Sequence, residues 1–127
     1  MSQKKSWFEK IKENLEKPVI RLVLLKIISD SQDTGVYGYE IGKELTFRTK
    51  ELLGGTDATF YAILRELEQS RLVKSELKRS TMGPARKYYT LTKEGVRTYE
   101  GLLQKWIQYN EIIQEMENKL SEGGKWK

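Results

Sequence analysis

The chain has 127 residues, 23 Lys and Arg against 18 Asp and Glu for a formal charge of +5, and no cysteine or histidine. That length suits one domain with a hydrophobic core of its own, and it excludes nothing by size. The composition excludes disulfides, thiolate nucleophiles, Cys/His zinc sites and imidazole acid–base catalysis, while the cationic surplus admits an acidic partner such as DNA without requiring one.

Residues 4–16 have the pattern of an amphipathic helix, with Trp7, Phe8, Ile11 and Leu15 on one face. Pro18 suits the first turn of a second helix, where a missing N–H does no harm. In that helix Ile20, Val23, Leu24, Ile27 and Ile28 recur at the spacing of a core-facing stripe. The run Val19–Ile28 holds Arg21 and Lys26 and is too short and too charged to span a bilayer. With no apolar leader segment near Met1, the expected location is the cytoplasm.

Asp30–Gly35 reads as a turn. A further helix is expected from about Gly38 to Leu53, with Tyr37, Ile41 and Leu45 spaced by four and Gly54-Gly55 as its stop. Thr56 is a candidate N-cap for a helix over about Asp57–Ser70, whose buried stripe is Phe60, Ile63, Leu64 and Leu67. Period-two runs over Leu72–Arg79 and Ala85–Leu91, separated by Ser80-Thr81-Met82-Gly83-Pro84, predict a β-hairpin. Thr92 then caps a long final helix over about Lys93–Leu120.

This order predicts an α+β, mostly α, winged helix-turn-helix. It comprises three helices and a β-hairpin wing, with an N-terminal helix and a long C-terminal dimerisation helix. The expected organisation is an N-terminal helix over 1–17, a DNA-binding domain over 18–92, a dimerisation helix over 93–120 and a flexible tail over 121–127.

The surface chemistry sharpens the functional reading. On the third helix, Asp57, Ala58, Tyr61, Ala62 and Arg65 lie opposite the apolar stripe. Small residues permit close approach to DNA, and Tyr61 and Arg65 can reach phosphates or base edges. Asp57 opposes phosphate by charge. Between Lys74 and Arg97 there are seven cations and two carboxylates, a surplus equal to that of the whole chain. Lys78, Arg79, Arg86 and Lys87 flank the hairpin tip, where a wing tracks a phosphate backbone.

On the last helix, Tyr99, Leu102, Trp106, Tyr109, Ile113, Met116 and Leu120 form an alternating 3,4 seam. A domain of this size cannot cover such a seam, so a second copy is expected. Trp7, Phe8, Ile11 and Leu15 are expected to join that interface, unless the first helix packs on the last within one chain. No nucleophile–base pair, metal cluster or phosphate-binding glycine loop is visible, so neither an enzyme nor a cofactor is expected.

Four segments resemble motifs of the PadR family. Tyr37-Gly38-Tyr39-Glu40-Ile41 is similar to its His-Gly-Tyr-Glu-Ile motif. Thr56-Asp57-Ala58-Thr59-Phe60-Tyr61-Ala62-Ile63-Leu64 resembles its recognition-helix motif, Ser-Pro-Gly-Thr-Leu-Tyr-Pro-Ala-Leu. Leu67-Glu68 followed by Leu72-Val73 resembles its Leu-Glu…Gly-Leu-Val segment. The most specific match is Gly83-Pro84-Ala85-Arg86-Lys87-Tyr88-Tyr89-Thr90-Leu91-Thr92, which resembles the wing motif Gly-Pro-x-Arg-Lys-Tyr-Tyr-x-Leu-Thr. The resemblance covers about residues 18–110.

It implies a homodimeric, repressor-type winged helix on inverted-repeat operator DNA. Thr59, Tyr61, Arg86 and Lys87 carry over as DNA-contacting residues, and Tyr39, Thr56, Arg65, Lys78 and Arg79 complete the candidate interface. In some members a tryptophan on the C-terminal helix lines a pocket for flat aromatic ligands, and Trp106 falls in the matching region. Tyr37 departs from the family's His, Asp57 and Ala62 from prolines, and Ala58 from a glycine. The alternative is a winged-helix protein–protein module without specific DNA binding, which Asp57 favours and the basic wing opposes.

Overall fold

The computed structural model describes residues 4–53, 57–80 and 83–121. The chain order is α1 (Trp7–Asp30), β1 (Val36–Tyr37), α2 (Gly38–Arg48), α3 (Asp57–Gln69), β2 (Val73–Ser80), β3 (Gly83–Leu91) and α4 (Lys93–Ser121). The strands form one antiparallel sheet in the order β1-β3-β2. This is the mostly helical winged-helix arrangement that the sequence predicts, with β1 as a third strand that the pattern did not indicate. Two residues are too few to show a period.

The two expected N-terminal helices are one. Ser6 caps α1 by accepting from the Glu9 N–H at 3.1 Å, and the helix runs through Pro18 without a break. Proline's fixed φ is itself helical, so the loss is confined to one hydrogen bond to the carbonyl four residues back. Asn14, which owns that carbonyl, and Pro18 are both exposed, so water can serve in place of the missing donor.

The second helix ends at Arg48, not Leu53, and Tyr37 lies outside it in β1. Thr49 stops α2. Its N–H and its hydroxyl both donate to the Leu45 carbonyl, and its Oγ1 accepts from Leu53 N. Lys50 and Glu51 then take left-handed φ values of 52° and 66°. Gly54, Gly55 and Thr56 lie outside the described residues.

The core lies between α1, α2, α3 and the inner face of the sheet. Leu24, Leu25, Ile27 and Ile28 of α1 meet Ile41 and Leu45 of α2 and Phe60, Ile63, Leu64 and Leu67 of α3. Val36, Val73, Tyr89 and Leu91 close it from the sheet. No charged or polar side chain is buried among the described residues. A buried Leu or Ile contributes about 1.5–3 kcal/mol, so this cluster carries the stability of the domain.

Polar ties fix the helices around that core. Arg21 of α1 holds Glu66 of α3 through two hydrogen bonds, Nε to Oε2 at 2.5 Å and Nη2 to Oε1 at 2.9 Å. Asp30 at the end of α1 takes Lys26 at 2.7 Å and Arg48 of α2 at 2.6 Å. The Gln32 amide extends the sheet edge: Nε2 donates to Leu91 O at 2.9 Å and Oε1 accepts from Leu91 N at 3.0 Å.

Thr92 joins the hairpin to α4. Its hydroxyl donates to Arg71 O at 2.6 Å and accepts from Gly95 N at 2.9 Å. With 29 residues, α4 is about 43 Å long at 1.5 Å per residue. Only its first turns reach the core, through Val96 and Tyr99.

Candidate nucleic-acid interface

Three elements place the candidate residues. Phe60, Ile63, Leu64 and Leu67 bury one stripe of α3, which turns Thr59, Tyr61, Ala62 and Arg65 outward. The Tyr61 ring is seated against the start of α2, where a Cβ on Gly38 would lie 3.3 Å from it. The third element is the sheet, whose strands alternate. Val73, Tyr89 and Leu91 point to the core, so Arg86 and Tyr88 point to the opposite face. Of the tyrosine pair, Tyr89 is therefore the inward one. Burial holds its hydroxyl above the usual phenol range, which keeps it neutral.

Tyr39, Tyr61, Arg65, Arg86 and Lys87 come together around one cleft of about 630 Å³ between α3 and the sheet. Tyr37, Gly38 and Tyr89 complete its wall. Arg86 reaches the cleft although its strand position faces away from α3. Its guanidinium sits 4.6 Å from the centre of the Tyr37 ring. Arg65, Arg79 and Arg86 form no ion pair among the described residues, so their charge is available to an anion. Lys87 is 3.5 Å from Glu68, which also accepts from Ser75 Oγ at 2.6 Å. A larger groove, about 740 Å³, opens between α2 and α3. It shares Tyr39 and Tyr61 but none of the arginines.

Three described candidates, Thr59, Lys78 and Arg79, stand apart from the cleft, Thr59 being exposed on α3. Lys78 donates to Thr34 O at 2.7 Å and lies over the Tyr88 ring at 4.9 Å. Arg79 is exposed on the bulged end of β2. Thr56 lies outside the described residues, as do the side chains of Asp57 and Ala58. In the sequence Tyr37 stands out only for its spacing with Ile41 and Leu45 and for its place at the family's His, and not as part of the candidate interface. The signal that marks it is cross-strand: it pairs with Tyr88 of the wing motif, a register no single-chain pattern reveals.

The second candidate surface is apolar. Trp7, Phe8, Ile11 and Leu15 on α1 are 56–74% exposed, and Leu102, Trp106, Tyr109, Ile113 and Met116 on α4 are 42–58% exposed. Ile107 and Ile112, which the strict seam omits, are exposed beside them. Tyr99 is partly buried against its own chain's core, and the Leu120 side chain lies outside the described residues.

Comparison with known proteins agrees with this geometry. The model of the transcriptional regulator PadR-like family matches residues 24–101. The chain belongs to the PadR-like family of transcriptional regulators. An uncharacterized protein of Lysinibacillus sphaericus is 31% identical over 103 residues, covering 81% of this chain and 87% of the relative. A PadR-like transcriptional regulator from Bacillus cereus superposes with a TM-score of 0.69 at 28% identity, covering 81% of this chain and 95% of that one. A Streptococcus transcriptional regulator gives 0.68 at 26% identity, over 81% and 96%. The PadR-like match spans the core, the cleft and the wing, while the exposed large apolar residues of both α1 and α4 lie outside it. No described helix is long and apolar enough to cross a membrane.

Proposed function

We propose that the chain is a sequence-specific, double-stranded DNA-binding repressor that acts as a homodimer on an inverted-repeat operator in the cytoplasm. The observation that carries the reading is the cleft in which Arg65 of α3 and Arg86 of β3, neither in an ion pair among the described residues, face the same space. In this reading α3 enters the major groove. Thr59, Tyr61 and Arg65 lie toward base edges and phosphates, while Arg86, Lys87 and Arg79 follow the flanking backbone. Residues 18–92 form the DNA-binding unit and 93–120 the dimerisation helix. The apolar stripes of α1 and α4 support a second copy, because a solvated monomer rarely leaves so many large apolar side chains exposed along its helices. Twofold symmetry then places half-sites about 34–36 Å apart. Trp106, in that interface, is the residue a flat aromatic effector would stack on.

The test is salt-dependent binding to a duplex. Arg86→Ala and Arg65→Ala each lower the slope of log K against log salt by roughly one if each meets one phosphate. An unchanged slope in both variants removes the cleft from the interface. The second reading, a protein-binding winged helix, rests on Asp57 at the start of α3. Under it, wild type binds no duplex and Asp57→Lys gains strong binding, because a carboxylate there repels phosphate.

A further inference from the structure

We infer that Tyr37 is a positioning residue of the interface: its ring holds the Arg86 guanidinium at the β1 side of the sheet, where both side chains line the cleft. The inference rests on the DNA-binding reading and deepens it.

Tyr37 pairs with Tyr88, so Arg86 is its diagonal neighbour on β3, a distance that long side chains span. β1 ends at Tyr37, and the chain turns into α2 at Gly38. Beyond that point β3 has no strand partner on its β1 side among the described residues. Alternation alone would leave Arg86 on the outer face, away from α3, beside Lys78, its partner across the hairpin. The two cations repel each other there and settle on different rings: Lys78 over Tyr88 at 4.9 Å, Arg86 over Tyr37 at 4.6 Å. Lys78 is held further by Thr34 O at 2.7 Å.

The Tyr37 ring is not free to follow the arginine. It stacks on Tyr39 with centroids 6.3 Å apart and meets Tyr88 at 5.7 Å. A guanidinium over an aromatic face keeps its edge N–H groups open to an anion, so the contact orients the arginine without consuming its donors.

The test pairs a free-protein measurement with a DNA measurement. In free protein, the Arg86 side-chain protons carry an upfield ring-current shift that Tyr37→Phe keeps and Tyr37→Leu abolishes. On duplex DNA at roughly 150 mM salt, Tyr37→Leu binds roughly three- to thirtyfold more weakly, the range of one cation–π contact. It also loses roughly one unit of salt slope, as Arg86→Gln does. The Tyr37→Leu/Arg86→Gln double variant is no weaker than Arg86→Gln alone, and Tyr37→Phe binds within about twofold of wild type, since the ring face is kept. Should Tyr37→Leu fail to fold, the exposed Arg86→Gln and the Tyr37→Phe shift still decide the matter.

A Tyr37→Leu slope equal to that of wild type, or losses that add in the double variant, overturns the role of Tyr37 while leaving DNA binding intact. Ring-current shifts as described together with no duplex binding by wild type overturn the DNA-binding reading, and the positioning role with it.

Discussion

Gly95 sits where the hairpin passes into α4, and a Cβ built there would lie 1.9 Å from the Leu72 carbonyl oxygen. That oxygen accepts from Thr92 N at 3.1 Å, so it cannot retreat without breaking the junction. Gly95→Ala is therefore expected to lower the unfolding free energy by about 3 kcal/mol. Gly101, on an exposed turn of the same helix with nothing within 4 Å, is expected to gain about 0.5–1 kcal/mol as alanine. Urea unfolding of the two variants should give opposite signs. Arg71 is the converse case, a side chain at φ 62° where glycine is at ease. Arg71→Gly should match or exceed wild-type stability, and Arg71→Val should lose about 1 kcal/mol, because a branched side chain fits that backbone region poorly.

Between elements, the ion pairs tie α2 and α3 to α1. The hydrogen bond from Arg21 holds Glu66 below its usual range, and those from Lys26 and Arg48 do the same for Asp30. A depressed carboxylate stabilises the fold fully above its unfolded value, near pH 4, and loses that contribution as pH falls through the folded value. All these groups are partly exposed, so solvent screens the gain. The Arg21/Glu66 double-mutant cycle is expected to yield roughly 0.5 kcal/mol at pH 7 and nothing near pH 2. Tyr89 works on the opposite limb. Its raised hydroxyl keeps stability below about pH 10 and loses it as the pH climbs further.

The elements also mark what a sequence can tell. The stripes of α1 and α3, the hairpin and the Thr92 cap were legible, because each is a local period or a local hydrogen bond. The continuity of α1 through Pro18 was not, since proline's helical φ lets either answer stand until the flanking turns are seen. Nor was β1, whose two residues exist as a strand only against β3. The cleft was half legible: its cations follow from the wing and α3, but the turn of Arg86 onto Tyr37 depends on a cross-strand register.

At the scale of the whole molecule, α1 and α4 leave apolar stripes at the ends of the described helices that no other described element covers. If these stripes meet a second copy, light scattering gives twice the chain mass. A Trp106→Glu/Ile113→Glu variant gives the monomer and loses tight operator binding, because each monomer then holds one half-site. A wild-type monomer at tens of micromolar would separate the family assignment from the dimer.

The central claim is that these features read a DNA sequence. Selection from a random duplex library at roughly 150 mM salt, where weak electrostatic association is screened, tests it most directly. The expected product is an inverted repeat with half-sites about one helical turn apart. Recovery of sequences no different from the starting library contradicts the claim.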